Sequence, residues 1–301
     1  MRKLLYFKEL NYTKDNMQLL FDNFEVVASD NDIDCDAAIL PLGEYWDGGF
    51  FMVRPKLQVV ASNTTTADHI DTEYCREYGI DVITLEGDPV LDDITAVAEL
   101  TIGLIIALTR NIIPAAASVE HRGEWFRWPY GRKKMLRKTT LGIIGYGRIG
   151  NHVSRFADGL YMDLAHYDIS GEYADFIEDV LDVSDIVTVH IPLKGNEKLF
   201  DRKIFEQFKD GAYFINTSRG EIVDDEALIW ALESGKLTGA AVDVLSGEFK
   251  PGFDADKHPL VQYARGHDNL IITPHIGGST EDAWEMTQRA IVEKLIAYFK
   301  R

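Results

Sequence analysis

Cysteine is scarce in this chain, with two among 301 residues, Cys35 and Cys75, forty positions apart and in no CxxC or Cys/His spacing. That argues against a disulfide framework and against a zinc site, so no metal is expected and both thiols read as reduced packing residues. Long apolar runs are missing too. The longest, residues 96–108, contains Glu99 and Thr101 and falls short of the ~20 residues that cross a bilayer. The apolar run near the N-terminus is short and broken by charge at Arg2, Lys3 and Lys8, too short for a signal-peptide core, and a cytoplasmic location is expected. Positive charge is in deficit, 31 Lys and Arg against 49 Asp and Glu, for a formal net charge of −18. General attraction to nucleic acid or to an anionic membrane is therefore disfavoured, because both depend on Lys and Arg displacing counterions. The one basic cluster, Arg132, Lys133, Lys134, Arg137 and Lys138, reads as solvated surface.

What is present is an α/β alternation. Short Val- and Ile-rich runs alternate with longer amphipathic segments, the pattern of parallel strands joined by crossover helices. The length suits two domains, or one large domain with an appendage. Strands are expected at 3–7, 25–28, 37–40, 57–61 and 81–85, followed by a long, nearly all-apolar and hence buried helix over 95–110. Past a polar, aromatic and basic segment, 120–138, a second series is expected at 140–145, 164–168, 186–190, 212–216, 239–244 and 270–273. Six strands make a complete doubly wound sheet, and a helix over 281–301 ends the chain.

Residues 141–150, LGIIGYGRIG, end a predicted strand, spell G-x-G-x-x-G from Gly145 to Gly150, and lead into a helical segment expected over 151–157. Gly145 permits a tight turn, Gly147 lets the backbone approach a pyrophosphate, and Gly150 lets helix and strand pack closely. The helix N-terminus would offer free N–H groups to the phosphates. Asp168, eighteen residues beyond Gly150, stands where an acid accepts hydrogen bonds from the ribose hydroxyls and repels a 2′-phosphate. No arginine follows in Ile169-Ser170-Gly171, so NAD is favoured over NADP.

Three polar segments sit at the ends of later strands, where open α/β sheets place ligands. They are Asn216-Thr217-Ser218-Arg219-Gly220, Asp243-Val244-Leu245-Ser246-Gly247-Glu248 and residues 273–280, TPHIGGST. Singly, each polar residue reads as surface or loop chemistry. Together they offer an arginine to grip a carboxylate in a bidentate fork, a histidine to exchange a proton near neutral pH, and an acid to orient that histidine. Hydride transfer between a nicotinamide and a 2-keto or 2-hydroxy acid needs those three functions.

With these motifs in order, joined by Val189-His190-Ile191-Pro192-Leu193, the sequence resembles the D-isomer-specific 2-hydroxyacid dehydrogenases along nearly its whole length. The resemblance implies a Rossmann NAD-binding domain, 95–277, inserted into a flavodoxin-like substrate domain formed by 1–94 and 278–301, with the active site in the cleft. It implies Arg219, Glu248 and His275 as catalytic residues, with Arg219 on the substrate carboxylate and carbonyl, His275 as acid/base and Glu248 as its partner. Cofactor contacts are implied for Gly145, Tyr146, Gly147, Arg148, Ile149, Gly150, Asp168, His190, Pro192, Thr217, Ser218, Asp243, His275, Gly277 and Gly278, with Asp243 on the nicotinamide carboxamide. Substrate contacts are implied for Ser62, Asn63, Thr64 and Tyr45 as well as Arg219. A homodimer is also implied, with the apolar helix and the following segment, including Trp125, Phe126 and Trp128, at its interface.

The chain departs from the family pattern in several places. The substrate loop usually reads G-x-G-x-D, whereas here Thr64 and Thr66 replace the glycines, which alters the backbone while adding hydroxyl donors. Glu197 stands where a threonine is common. Phosphoglycerate enzymes carry Arg-Ser-x-Thr where this chain has Pro41-Leu42-Gly43-Glu44-Tyr45-Trp46, and a phosphate beside Glu44 would be poorly placed. Formate dehydrogenases have glutamine where Glu248 stands. The alternative of another class is an NAD-sensing interaction protein resembling the corepressors of this fold, with little turnover.

Overall fold

The computed structural model describes residues 1–27, 33–131 and 133–301. Ala28, the end of the second expected strand, and Arg132 of the basic cluster lie outside the described residues. The chain divides into two compact units, Met1–Ile94 with Phe249–Phe253 and Ser279–Arg301, and Thr95–Glu248 with Asp254–Gly278.

In the first unit, β1 (Arg2–Tyr6), α1 (Lys14–Asn23), β2 (Phe24–Val27), β3 (Ala37–Ile39), α2 (Gly48–Met52), β4 (Val59–Ala61), α3 (Thr72–Tyr78) and β5 (Asp81–Ile83) follow one another. The sheet is parallel, in the order β2-β1-β3-β4-β5, the flavodoxin-like order. The strict side-chain alternation of a strand decides which residues meet. Leu4, Tyr6, Ala37, Ile39, Val59 and Ala61 form one core with Leu20 of α1, whereas Leu5, Phe7, Ala38, Leu40 and Val60 form the other with Phe51 of α2 and Cys75 of α3. The fourth strand starts two residues later than expected because Leu57 is still in a turn, its N–H donating to the Arg54 carbonyl. Asp71 caps α3, and Gly79 ends it at φ 73°, in the left-handed region.

The second unit holds α4 (Ala96–Thr109), α5 (Ile112–Arg122), β6 (Thr140–Ile144), α6 (Arg148–Gly159), β7 (Asp163–Tyr167), α7 (Ile177–Val183), β8 (Ile186–Val189), α8 (Arg202–Glu206), β9 (Ala212–Asn216), α9 (Asp225–Glu233), β10 (Leu237–Val242), α10 (Pro259–Ala264) and β11 (Leu270–Ile272). Its parallel sheet runs β11-β10-β9-β8-β6-β7, and a single bridge from Tyr167 to Ala174 extends it past β7. The chain steps outward from β6 to β7 and then returns to β8 on the other side of β6, which makes the switch point where such sheets bind ligands. On one face α4 and α6 cover Leu141, Ile143, Ile186 and Ile215, while on the other α7, α9 and α10 cover Ile144, Val187, Val189, Phe214 and Val242.

The last helix, α11 (Glu281–Phe299), returns to the first unit, where Ile291, Val292 and Leu295 join the core around Leu4 and Val59. Thr280 caps it, accepting from the Ala283 N–H at 3.3 Å.

Two expectations change in detail. The helix α4 is apolar nearly all round but buries one side only. Ala98, Thr101, Leu104, Ile105 and Leu108 are buried, while Glu99, Gly103 and Arg110 are exposed and Ile102 and Ile106 half-buried, because a helix laid on a sheet has an outer face. The helix after the glycine turn begins at Arg148 instead of 151, inside the motif, with Gly147 at its N-cap. Among the described residues no helix is long and apolar enough to cross a membrane.

Candidate active site

Two of the three glycines of the turn admit no larger residue. Gly145 has φ +93°, and a Cβ there would lie 2.5 Å from the His190 carbonyl oxygen; a Cβ on Gly150 would lie 2.1 Å from the Gly145 carbonyl oxygen. At Gly147, by contrast, nothing lies within 4 Å of that position. Two glycines close the turn and the middle one leaves its outer side open above the N-terminus of α6, so the space suits a pyrophosphate. The Asp168 carboxylate, at the end of β7, accepts from the Tyr146 N–H at 2.8 Å and the Ser170 N–H at 2.9 Å. Burial pushes its pKa up, but these backbone donors prevail and hold the carboxyl below its usual range. It is an oriented anion beside the turn, as a ribose-binding acid must be. Behind the turn, burial pushes the His190 imidazole down to about 3. Its Nε2 lies 3.0 Å from Thr188 Oγ1, and its buried Nδ1 has no partner among the described residues.

The loops after β9, β10 and β11 are locked to one another. Asn216 is 1% exposed; its Nδ2 donates to the Arg219 carbonyl at 2.9 Å, and its Oδ1 accepts from the Ser218 N–H at 3.0 Å. Ser218 in turn donates to the Val189 carbonyl at 2.7 Å. Arg219 is half-buried, with Nη1 donating to the Ser218 carbonyl at 2.7 Å. The next residue, Gly220, lies so close to the following loop that a Cβ would sit 2.1 Å from the Leu245 carbonyl carbon. Glu221 accepts from the Gly247 N–H at 2.9 Å. The loop carrying Arg219 is thus pressed against the loop carrying Glu248.

Glu248 Oε1 and His275 Nδ1 are 3.0 Å apart, the two side chains 13% and 24% exposed. A carboxylate can only accept, so in this pair Nδ1 carries the proton. His275 itself is at φ +53°, unfavourable for a residue with a Cβ. Its N–H donates to the Asp243 carbonyl at 2.8 Å, and the Asp243 carboxylate accepts from Thr273 Oγ1, from the Ile276 N–H at 3.0 Å and from the Gly277 N–H at 2.7 Å. Asp243 is 2% exposed. Asp243, for which a nicotinamide contact is expected, anchors the histidine loop, a role invisible without the fold.

A second cluster was also missed. Ser246 Oγ donates to Asp225 Oδ2 at 2.5 Å and lies 3.1 Å from His258 Nε2, while His258 Nδ1 accepts from the Leu260 N–H at 3.3 Å. The serine proton points to the acid and the histidine proton to the serine, so this is a structural tie and not an activated nucleophile. Burial pushes the Asp225 carboxyl up.

In the first unit, Ser62 is 1% exposed, its hydroxyl donating to the Leu40 carbonyl at 3.1 Å beside His69 Nε2 at 3.0 Å. Thr64 donates to the Thr66 carbonyl at 2.6 Å, and Thr66 to Asp68 Oδ2 at 2.7 Å. Neither threonine adopts positive φ. The hydroxyls expected to be added donors are taken up inside the loop, which leaves Asn63 half-buried with its Nδ2 unpaired among the described residues. Tyr45 is exposed, but its neighbour Trp46 is buried and donates to the Pro41 carbonyl at 3.0 Å. Pro192, Thr217 and Gly278 lie at the strand ends of the second unit, with Thr217 Oγ1 3.0 Å from Thr101 Oγ1. An open cavity of about 410 Å³, lined by Leu108, Asn111, Tyr213, Thr238, His267 and Asn269, lies at the opposite, N-terminal ends of β9 to β11 and holds none of the motif residues.

Residues 102–277 match the NAD binding domain of the D-isomer specific 2-hydroxyacid dehydrogenases. A glyoxylate reductase of Thermofilum pendens is 34% identical over 282 residues, 89% of this chain and 79% of that one. A D-3-phosphoglycerate dehydrogenase of Haemophilus influenzae is 36% identical over 252 residues, 81% of this chain but 59% of that longer one. The D-lactate dehydrogenase of Aquifex aeolicus, solved with NAD and lactic acid, superposes with a TM-score of 0.82 over 99% of this chain and 95% of that one at 24% identity, a likeness of fold. The chain belongs to the D-isomer specific 2-hydroxyacid dehydrogenases and is an NAD-dependent oxidoreductase.

Proposed function

We propose that this enzyme interconverts a small, unphosphorylated 2-keto acid and its D-2-hydroxy acid, with Arg219, Glu248 and His275 as the catalytic residues. The observation that carries this reading is the 3.0 Å pair of His275 Nδ1 and Glu248 Oε1 on loops clamped by Gly220 and Asp243. Residues 145–150 and Asp168 would hold NADH, which would supply the hydride. Arg219 grips the carboxylate and polarises the carbonyl; His275 gives its Nε2 proton to the carbonyl oxygen in reduction and takes it back in oxidation; Glu248 stabilises the charged ring. In the first unit, which we read as the substrate domain, Asn63 and Tyr45 contribute substrate contacts. The exposed Glu44, in the stretch where the phosphoglycerate pattern has an arginine, supports the absence of a phosphate on the substrate. The test is NADH oxidation across a panel of 2-keto acids, where rapid turnover of an unphosphorylated acid is expected and tight NADH binding without turnover of any would overturn the assignment.

We also infer a homodimer. Ile112, Ile113, Trp125, Phe126 and Trp128 are 48%, 51%, 91%, 62% and 59% exposed along α5 and the segment after it, which is more apolar surface than a monomer readily leaves in water. A monomer by light scattering at micromolar concentration would refute it.

A further inference from the structure

Tyr12 has no place in the chemistry above, yet it touches the loop after β4. Its ring, 7% exposed, meets Tyr6 edge-on with centroids 5.3 Å apart, and its N–H donates to the Tyr6 hydroxyl at 2.9 Å. Its own hydroxyl donates to Asn63 Oδ1 at 2.6 Å. Burial pushes the phenol well above its ordinary pKa, so it remains a proton donor at any working pH.

That single bond decides which way the Asn63 carboxamide faces. A flipped amide would bring its NH2 against the phenol oxygen and leave the buried phenolic proton with no acceptor, since no other acceptor bonds Tyr12 Oη among the described residues. With Oδ1 held, both Nδ2 protons are turned away from Tyr12, and none is taken by the described residues. Ser62, Thr64 and Thr66 have hydroxyls committed to Leu40, Thr66 and Asp68. Among these four side chains Asn63 alone keeps donors for a ligand.

We propose that Tyr12 is a positioning residue for substrate recognition: by holding Asn63 Oδ1 it keeps the Asn63 NH2 presented to the carboxylate of the 2-keto acid. This rests on the reading that the loop after β4 receives the substrate. Tyr12→Phe keeps the ring against Tyr6 and removes the one hydroxyl, so KM for the keto acid rises roughly tenfold while kcat and NADH affinity stay unchanged. Asn63→Ala gives a similar rise, and the double variant is no worse than Asn63→Ala alone, which a merely structural tyrosine would not produce. Binding of oxamate, an unreactive keto-acid analogue, to the enzyme–NADH complex by calorimetry reads the same loss without turnover, and thermal unfolding checks that Tyr12→Phe is folded; if it is not, the oxamate affinity of Asn63→Ala decides. A wild type that turns over keto acids, matched by Tyr12→Phe in KM and oxamate affinity, overturns this inference alone. A wild type that neither turns over nor binds any of these acids overturns the functional reading and this inference with it.

Discussion

The two units place loops at the same position, the C-terminal ends of parallel strands, and build them in opposite ways. The loop of residues 62–68 in the first unit is held chiefly by neutral hydroxyl bonds, Ser62 to the Leu40 carbonyl, Thr64 to the Thr66 carbonyl and Tyr12 to Asn63 Oδ1, with one to a carboxylate, Thr66 to Asp68. In the second, backbone approaches that only glycine permits and a buried carboxylate, Asp243, hold a strained His275 against Glu248. Neutral ties of about 1 kcal/mol each can be rearranged as a substrate changes, whereas close backbone packing and buried charge cannot. On the function proposed above, this difference would amount to a division of labour in which one unit selects the acid and the other performs a fixed reaction.

The sharpest break of that comparison is His275→Ala. If His275 is the proton donor proposed above, its removal lowers kcat by about 10² to 10⁴, while NADH binding by fluorescence is expected to stay near wild type because the proposed cofactor site at the glycine turn and Asp168 is untouched. A fall in NADH affinity as large as the fall in kcat would place His275 in binding and not in chemistry. Gly220→Ala is next. Its Cβ would meet the Leu245 and Ser246 backbone at 2.1 to 2.2 Å, so one loop must move. We expect ~3 kcal/mol less stability by denaturant unfolding together with a fall in kcat, since Arg219 and Glu248 flank that contact. A stable variant of normal kcat would show that the clamp does not matter to the chemistry.

How much of this was legible in the sequence depends on how far apart the partners lie. The glycine turn was legible because its residues are contiguous and each has a local task, and the polar segments were legible because strand ends announce themselves by a change from Val and Ile to Asn, Asp and Thr. His275 and Glu248, 27 positions apart, could be paired only by their complementary chemistry and the resemblance, and the structure brings them to 3.0 Å. Asp243 as an anchor for Ile276 and Gly277, Tyr12 as the partner of Asn63, and the Ser246, Asp225 and His258 tie all join distant positions without a local signature. The outer face of α4 was misread because an all-apolar pattern looks the same whether a helix is enclosed or covered on one side by a sheet.

Acid should separate the units next. The buried imidazole of His190 is held down at about 3 by burial, against about 6.5 in the unfolded chain. Between those values the unfolded state binds a proton that the folded state does not, so this contribution is fully present above pH ~6.5 and is lost as pH falls toward 3. Near pH 5 the unfolding free energy should change by about 1.4 kcal/mol per pH unit from this group alone. His190→Gln should remove that slope, leaving stability at pH 8 lower by only the bond to Thr188. Parallel stability curves for the two proteins between pH 4 and 6 would show that His190 is protonated without cost.

The smallest effect tests the neutral loop. Thr64→Gly restores the family's residue at one departure, and three terms decide its outcome. It deletes the bond to the Thr66 carbonyl, worth about 1 kcal/mol net. It adds unfolded-state freedom that costs up to another ~1 kcal/mol. It brings no relief of strain, because Thr64 is not at positive φ. Stability therefore falls by about 1 to 2 kcal/mol, less than for Gly220→Ala, and the sign is the opposite of what restoring a consensus glycine to a strained site would give. If the first unit selects the acid, the loosened loop also raises KM a few-fold and flattens the ranking among keto acids, with kcat for the best substrate unchanged. A Thr64→Gly enzyme that is more stable than wild type would mean that the threonine is strained after all, and one with lower kcat at unchanged KM would place this loop in the chemistry and erase the contrast between the two units.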